Sequence, residues 1–210
     1  GECICLSPDG KILAVAHTHG RIDPTYRNGL VEVYEWINDN WAQRGSTITG
    51  HNNNDEIGNA LSFSTDGSIL AIGAEKSHKV LVYKWNDISG DWIQRGTDIS
   101  GNQDRTGYSV SLNFDGTILA IGAIGGTSDH GFVRIYSWDE SSTSWIQKGS
   151  TITGDSSSTT FTSSFGYKYD YTNSGYSIDL NYYGDVIAIG TPEFSSESPF
   201  VGHVRVFEWN

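Results

Sequence analysis

Along this chain apolar and polar residues alternate with a period of two, in short runs separated by Gly, Asp, Asn and Ser. Ile4/Leu6, Leu61/Phe63, Val110/Leu112 and Ile178/Leu180 mark one side of four such runs, and Cys3/Cys5, Ala60/Ser62, Ser109/Ser111 and Ser177/Asp179 mark the other. Successive side chains of an extended chain point to opposite faces, so this period predicts strands with a large-residue face and a small-residue face. Each run closes on a turn at Asp9-Gly10, Asp66-Gly67, Asp115-Gly116 or, altered, Tyr183-Gly184, and a second run follows: ILAVAH, ILAIGA, ILAIGA, VIAIGT. Asp-Gly between two β-rich runs is a strong hairpin signal, because Gly takes positive φ without steric cost.

The alternation is itself repeated. DGTILAIGA at 115–123 stands beside DGSILAIGA at 66–74, DGKILAVAH at 9–17 and GDVIAIGTP at 184–192; the Leu-Ala or Ile-Ala pair returns after 57, 49 and 68 residues. A run of V-x-V-Y-x-W type follows each copy, and W-x-Q-x-G follows that in the first three. Four short strands per unit predict an all-β fold, a β-propeller of four-stranded antiparallel blades, with the first strand innermost and about fifteen strands in all. The units span about 1–50, 57–101, 107–154 and 175–210 of a single propeller region, with 155–174 as an insertion. The fourth unit shows no W-x-Q-x-G, so its last strand and further blades are expected from residues outside these 210 or from another chain.

Large faces laid against small faces bring neighbouring sheets close without voids. Cys3 and Cys5 hold positions that are Ala, Ser or Asp in the other units, and are expected to be reduced packing residues. Trp36, Trp85, Trp138 and Trp209 close the third strand, while Trp41, Trp92 and Trp145 open the fourth. Repetition at one blade position predicts that they fill the outer part of each sheet.

Charge and motifs narrow the chemistry. Thirteen basic against 25 acidic residues leave −12, a field that repels a phosphate backbone, so no nucleic-acid partner is expected. No run reaches the roughly 18 apolar residues of a membrane span. His17 and His19 share a strand face, but nothing in the sequence brings Asp23, His51 or another ligand to them; no metal site and no cofactor is expected. No H-E-x-x-H, G-x-S-x-G, P-loop or C-x-x-C occurs, and no catalytic residue is assigned. Asp139-Glu140 and Asp87 with Asp91 read as solvated hairpin tips, and His78, His130 and His203 as caps before the third strand. The insertion is rich in Ser and Thr, then in aromatics; its alternating Tyr167, Tyr169 and Tyr171 are the candidate partner contact.

The pattern S-x-D-G-x-x-L-A-x-G, followed by G-x-V-R-V-Y-x-W, resembles the repeats of integrin-like, FG-GAP-like propellers of secreted and surface proteins. More distantly, through Ser7 to Ala14, it resembles WD-repeat proteins. The resemblance implies a propeller outside the cell or on a cell or virion surface. One family property does not carry over. FG-GAP units hold calcium in a D-x-D-x-D-G loop, whereas the turns here read SPDG, STDG, NFDG and YYGD. Asp9, Gly10, Asp66, Gly67, Asp115 and Gly116 are therefore expected to be structural turns. The function expected is a non-catalytic interaction or adhesion module that presents loops to a protein or glycan. Two alternatives stay open: a structural subunit of a larger surface assembly or filament, and a propeller hydrolase or lyase with its site at the central channel.

Overall fold

A computed structural model of the chain describes residues 1–21, 25–125, 130–154, 161–162, 168–169, 173–192 and 202–209. Four antiparallel sheets follow one another as the blades of a β-propeller. Blade one runs β1 (Cys3–Leu6), β2 (Ile12–His17), β3 (Leu30–Ile37) and β4 (Asn40–Gln43), each hydrogen-bonded to the next, with β5 (Ile48–Thr49) also on β3. Blade two repeats this with β6 (Leu61–Phe63), β7 (Ile69–Ala74), β8 (Lys79–Asn86), β9 (Asp91–Gln94) and β10 (Ile99–Ser100). Blade three has β11 (Thr106–Leu112), β12 (Ile118–Ala123), β13 (Phe132–Asp139) and β14 (Ser144–Thr153). A small hairpin, β15 (Phe161–Thr162) with β16 (Lys168–Tyr169), precedes blade four, which holds β17 (Ser177–Leu180), β18 (Val186–Thr191) and β19 (His203–Glu208).

The described residues thus form nineteen strands rather than the expected fifteen or so. In blades one and two the run beginning W-x-Q breaks into two pieces around Gly45 (φ +77°) and Gly96 (φ +83°), whereas in blade three β14 continues through Gly149 (φ +70°). The β15–β16 hairpin supplies the other two.

The nine-residue repeat sets how the blades stack. Leu70 and Ile72 are buried in a core shared with Ala14, Ala16, Val31 and Val33 of blade one. On the opposite face Ala71, Val80 and Val82 pack with Val110, Leu112, Leu119 and Ile121 of blade three. Ala120, Val133 and Ile135 then meet Ile178, Leu180, Ile187 and Ile189 of blade four. Leu70 and Ile72, like Leu119 and Ile121, thus face the preceding blade, and Ile69, Ala71 and Gly73 face the following one.

Side chains of one blade also satisfy backbone donors of the next. The Leu112 N–H donates to Ser62 Oγ at 2.9 Å and the Leu180 N–H to Ser111 Oγ at 3.0 Å. The Phe63 N–H meets the Cys5 sulfur in the same way, so this cysteine stands in for a serine. Cys3 and Cys5 are free thiols packed against the blade-two core, and burial pushes both thiols up.

Candidate interaction cleft at the blade rim

Strand register places Trp36 opposite Trp41, Trp85 opposite Trp92 and Trp138 opposite Trp145. Each pair meets edge to face, with ring centroids 5.3, 5.5 and 5.4 Å apart, the arrangement aromatic quadrupoles favour. A cation from the preceding blade completes each later pair. The Arg44 guanidinium lies 4.4 Å from the Trp85 ring centroid, and Arg95 lies 4.5 Å from Trp138. The Trp92 indole N–H donates to Arg44 O at 3.0 Å, and the Trp145 indole N–H to Arg95 O at 3.1 Å. Arg44, Arg95 and Lys148 all follow the Gln of W-x-Q-x-G, so a recurring basic residue marked this latch in the sequence.

Between blades two and three the rim opens into a cleft of about 730 Å³, lined by Trp85, Ile88, Ile93, Arg95, Trp138 and Thr143 among others. Ile88, at the β8–β9 hairpin tip, is 98% exposed, and Ile93 is 48% exposed. Arg95 is fixed in the cleft wall. Its Nη1 donates to Gly116 O at 2.8 Å, and its Nη2 lies 3.6 Å from Glu140 Oε1. Burial draws its pKa down, and the nearby Glu140 and Asp115 carboxylates offset part of that. An indole floor, one immobilised cation and two exposed isoleucines suit an apolar, hydrogen-bonding segment.

The turn residues are occupied locally. Asp9 Oδ1 accepts from Ser7 Oγ (2.6 Å) and the Lys11 N–H (3.0 Å). Asp66 accepts from the Ser64 and Ser68 hydroxyls and the Ser68 N–H, and Asp115 from the Thr117 hydroxyl and N–H. Gly10, Gly67 and Gly116 follow at φ of +73°, +65° and +65°. Tyr167 and Tyr171 lie outside the described residues, as does Asp23; Tyr169 is in β16, where only the backbone is described. His17 and His19 go to different partners, Glu32 at 3.7 Å and Glu2 at 2.8 Å. Among the described residues no group of three or more His, Cys, Asp or Glu could hold a metal ion. Nor is any of their helices long and apolar enough to cross a membrane.

Three polar sites differ from the sequence expectation or lay beyond it. Asp91 is no solvated tip: its carboxylate accepts the Ser46 N–H (2.7 Å) and hydroxyl (2.9 Å) of blade one. Asp87 accepts the Trp85 indole N–H at 2.9 Å, whereas Asp139 serves its own turn, whose Ser141 and Ser142 hydroxyls hold its carboxyl down at about 2. A buried ion cluster joins three separate segments, with Lys79 Nζ 2.7 Å from Asp55 Oδ2 and 3.1 Å from Asp98 Oδ2. Burial alone would lower the Lys79 ammonium, but the two carboxylates outweigh it and raise its pKa.

No protein-family model matches the chain, and no curated protein matches it. Solved structures do. The chain is similar to the periplasmic gluconolactonase PpgL of Pseudomonas aeruginosa, at 12% identity and a TM-score of 0.55 over 99% of this chain and 57% of that one. It is similar to Hsv2p of Kluyveromyces lactis, at 13% identity and 0.55, over 99% and 49%. The β-propeller domain of Myceliophteria thermophila Cps50 (Swd1) matches at 17% identity and 0.52, over 90% and 48%. At such identities the likeness shows the propeller fold and nothing finer. The chain spans about half the length of these structures.

Proposed function

We propose that this chain is a non-catalytic interaction module that takes a segment of a protein partner in the rim cleft between blades two and three. The lining of that cleft carries the reading. Trp85, Trp138 and Arg95 are of the residue types that dominate binding hot spots, and they stand with exposed Ile88 and Ile93. Covering Ile88 on a partner removes apolar surface from water, at about 25 cal/mol per Å². The likeness of the repeat to FG-GAP-like surface propellers supports a place outside the cell or on a cell or virion surface. Labelling of intact cells with an antibody to the chain tests that placement.

The cleft is tested by panning a random-peptide display library on the wild-type chain and counter-selecting on Ile88→Asp. Peptides enriched on the wild type are expected to bind the variant at least about tenfold more weakly. No enrichment, or equal binding to both, refutes the cleft. Replacing Tyr167, Tyr169 and Tyr171 together with Ser is the parallel arm; loss there with Ile88→Asp unaffected moves the contact to the insertion. Turnover of a panel of sugar lactones above the uncatalysed rate would refute the non-catalytic reading.

A further inference from the structure

We infer that the rim cleft of blades two and three selects a partner segment with an Asp or Glu side chain two residues from an apolar one. The acidic carboxylate takes the Arg95 cation that Glu140 holds in the free chain. This rests on the cleft being the partner site, and names the chemistry that the cleft reads. The spacing comes from one wall. Ile93 and Arg95 both line the cleft, and the Arg95 N–H still bonds Val82 O at 2.7 Å as β9 ends, so the chain between them is extended. An apolar contact and a cation thus stand about 7 Å apart. An extended partner returns side chains to one face at the same interval, so an apolar and an acidic residue at i and i+2 meet both together. Charge agrees with this. The charged residues of the lining are Lys84, Asp87 and Arg95, two cations to one anion, on a chain whose net charge is −12. Repulsion from the rest of the chain is screened over about 8 Å at physiological salt.

The two hairpins that flank the cleft show what a carboxylate completes. They are of equal length: Asn86 pairs with Asp91 in one and Asp139 with Ser144 in the other, so Asp87 and Glu140 hold equivalent positions. Asp87 accepts the Trp85 indole N–H at 2.9 Å. Glu140 does not do this for Trp138. It turns from blade three toward Arg95 of blade two, and its Oε1 stops 3.6 Å from Nη2, beyond hydrogen-bond distance. Among the described residues the buried Trp138 indole nitrogen is then left with no acceptor. A buried donor without a partner is costly, and so is a desolvated cation held loosely. The Arg95 side chain is 7% exposed and that of Glu140 79%, so a cation out of water faces a carboxylate standing in it. A partner carboxylate on Nη2 replaces this loose pair with a charge-assisted hydrogen bond. It also releases Glu140 to accept the Trp138 indole N–H, as Asp87 accepts that of Trp85.

The probes are the blocked peptides acetyl-SLTES-amide and acetyl-SETLS-amide, which carry the spacing in either chain direction. Each is titrated into the nitrogen-15-labelled chain, and the assigned indole N–H signals of Trp85 and Trp138 are followed by NMR. At least one peptide is expected to move both signals saturably, with that of Trp138 going downfield as its N–H gains an acceptor. Gln in place of the peptide's Glu is expected to weaken binding at least about tenfold, the worth of a hydrogen bond to a charged group. Glu140→Gln, which removes the competing carboxylate, is expected to tighten the Glu peptide about two- to fivefold and leave the Gln peptide unchanged. Equal binding of the Glu and Gln peptides would overturn the inference and leave the cleft as a site for apolar segments. Equal binding of acetyl-SLETS-amide, whose Glu adjoins its Leu, would overturn the spacing, and no tightening by Glu140→Gln would overturn the displacement. Tighter binding of the free acid acetyl-SL than of either Glu peptide would overturn the inference too, by giving Arg95 to a chain end. If no peptide moves either indole signal by about 20 mM, the cleft and its chemistry fail together.

Discussion

Replacing Gly73 with Ala asks whether the next blade's backbone is what demands glycine in the repeat. The φ of Gly73 is not in the left-handed region, so alanine brings no backbone strain, only a methyl group. That methyl would collide with the carbonyl oxygen of Gly107 in blade three and come within 3.1 Å of the Ala60 Cβ. A carbonyl fixed in a strand cannot swing aside, so the two sheets must part. Overpacking of this kind costs about 1–3 kcal/mol, and a rigid neighbour places it at the upper end. Loss of glycine's freedom in the unfolded chain returns some of this, about 0.4–1 kcal/mol. The net is about 2–3 kcal/mol. With about 2.1 cal/mol/K of unfolding entropy per residue, the melting temperature falls by roughly 5–7 °C. Gly190→Ala is the control, because the same repeat position in blade four offers a Cβ ordinary contact with Ser177 at 3.4 Å. It is expected to be neutral or stabilising by up to about 1 kcal/mol. Gly122→Ala should follow Gly73→Ala, since its Cβ would collide with Gly175 O and Ser109 Oγ. Thermal melts by circular dichroism, checked by urea midpoints, read all three. Equal shifts at Gly73 and Gly190, or none at Gly73, would refute the reasoning.

Arg95→Ala strips a desolvated cation from Trp138 and a hydrogen bond from Gly116 O, and is expected to cost about 2–3 kcal/mol in urea unfolding; a change below about 0.5 kcal/mol would show that the latch is ornamental. Burial pushes the Tyr83 phenol up to about 12, so folding favours its protonated form. The stability this gives is complete below the unfolded value near 10 and is lost as pH rises toward 12. Tyr83→Phe should remove about 2–3 kcal/mol of that alkaline loss, and a parallel alkaline profile would contradict the assignment. Calcium titration should leave the melting temperature unmoved, because the turns themselves already occupy the Asp9, Asp66 and Asp115 carboxylates. A rise of several degrees at micromolar calcium would count against this.

The strands, the hairpins at Asp9-Gly10, Asp66-Gly67 and Asp115-Gly116, and the alternation of large and small faces were legible because each is local or periodic. A repeat shows which residues recur, but not what they touch. Arg44 and Arg95 recur beside tryptophans of their own blade, yet each lies over an indole of the following blade. Asp91 looks like a hairpin tip until the stacking brings Ser46 to it. Lys79, Asp55 and Asp98 come from three segments, and none carries a local sign of the others. The rim cleft belongs to no single unit either: Ile88 and Arg95 come from blade two, Trp138 and Thr143 from blade three.

Every described boundary joins the large face of one blade to the small face of the blade before it, and all three have the same polarity. The apolar packing of such a boundary carries no label saying which one it is. A stretch of about fifty residues copied and inserted between two neighbours would find on each side the face it was built to meet. Recombination between the coding segments for DGSILAIGA and DGTILAIGA would then delete or add a whole blade and still set a large face on a small one, at the cost of local contacts such as Asp91 with Ser46. The blade count of such a molecule is a record of duplication, written in no single side chain, while the loops between units are free to drift apart.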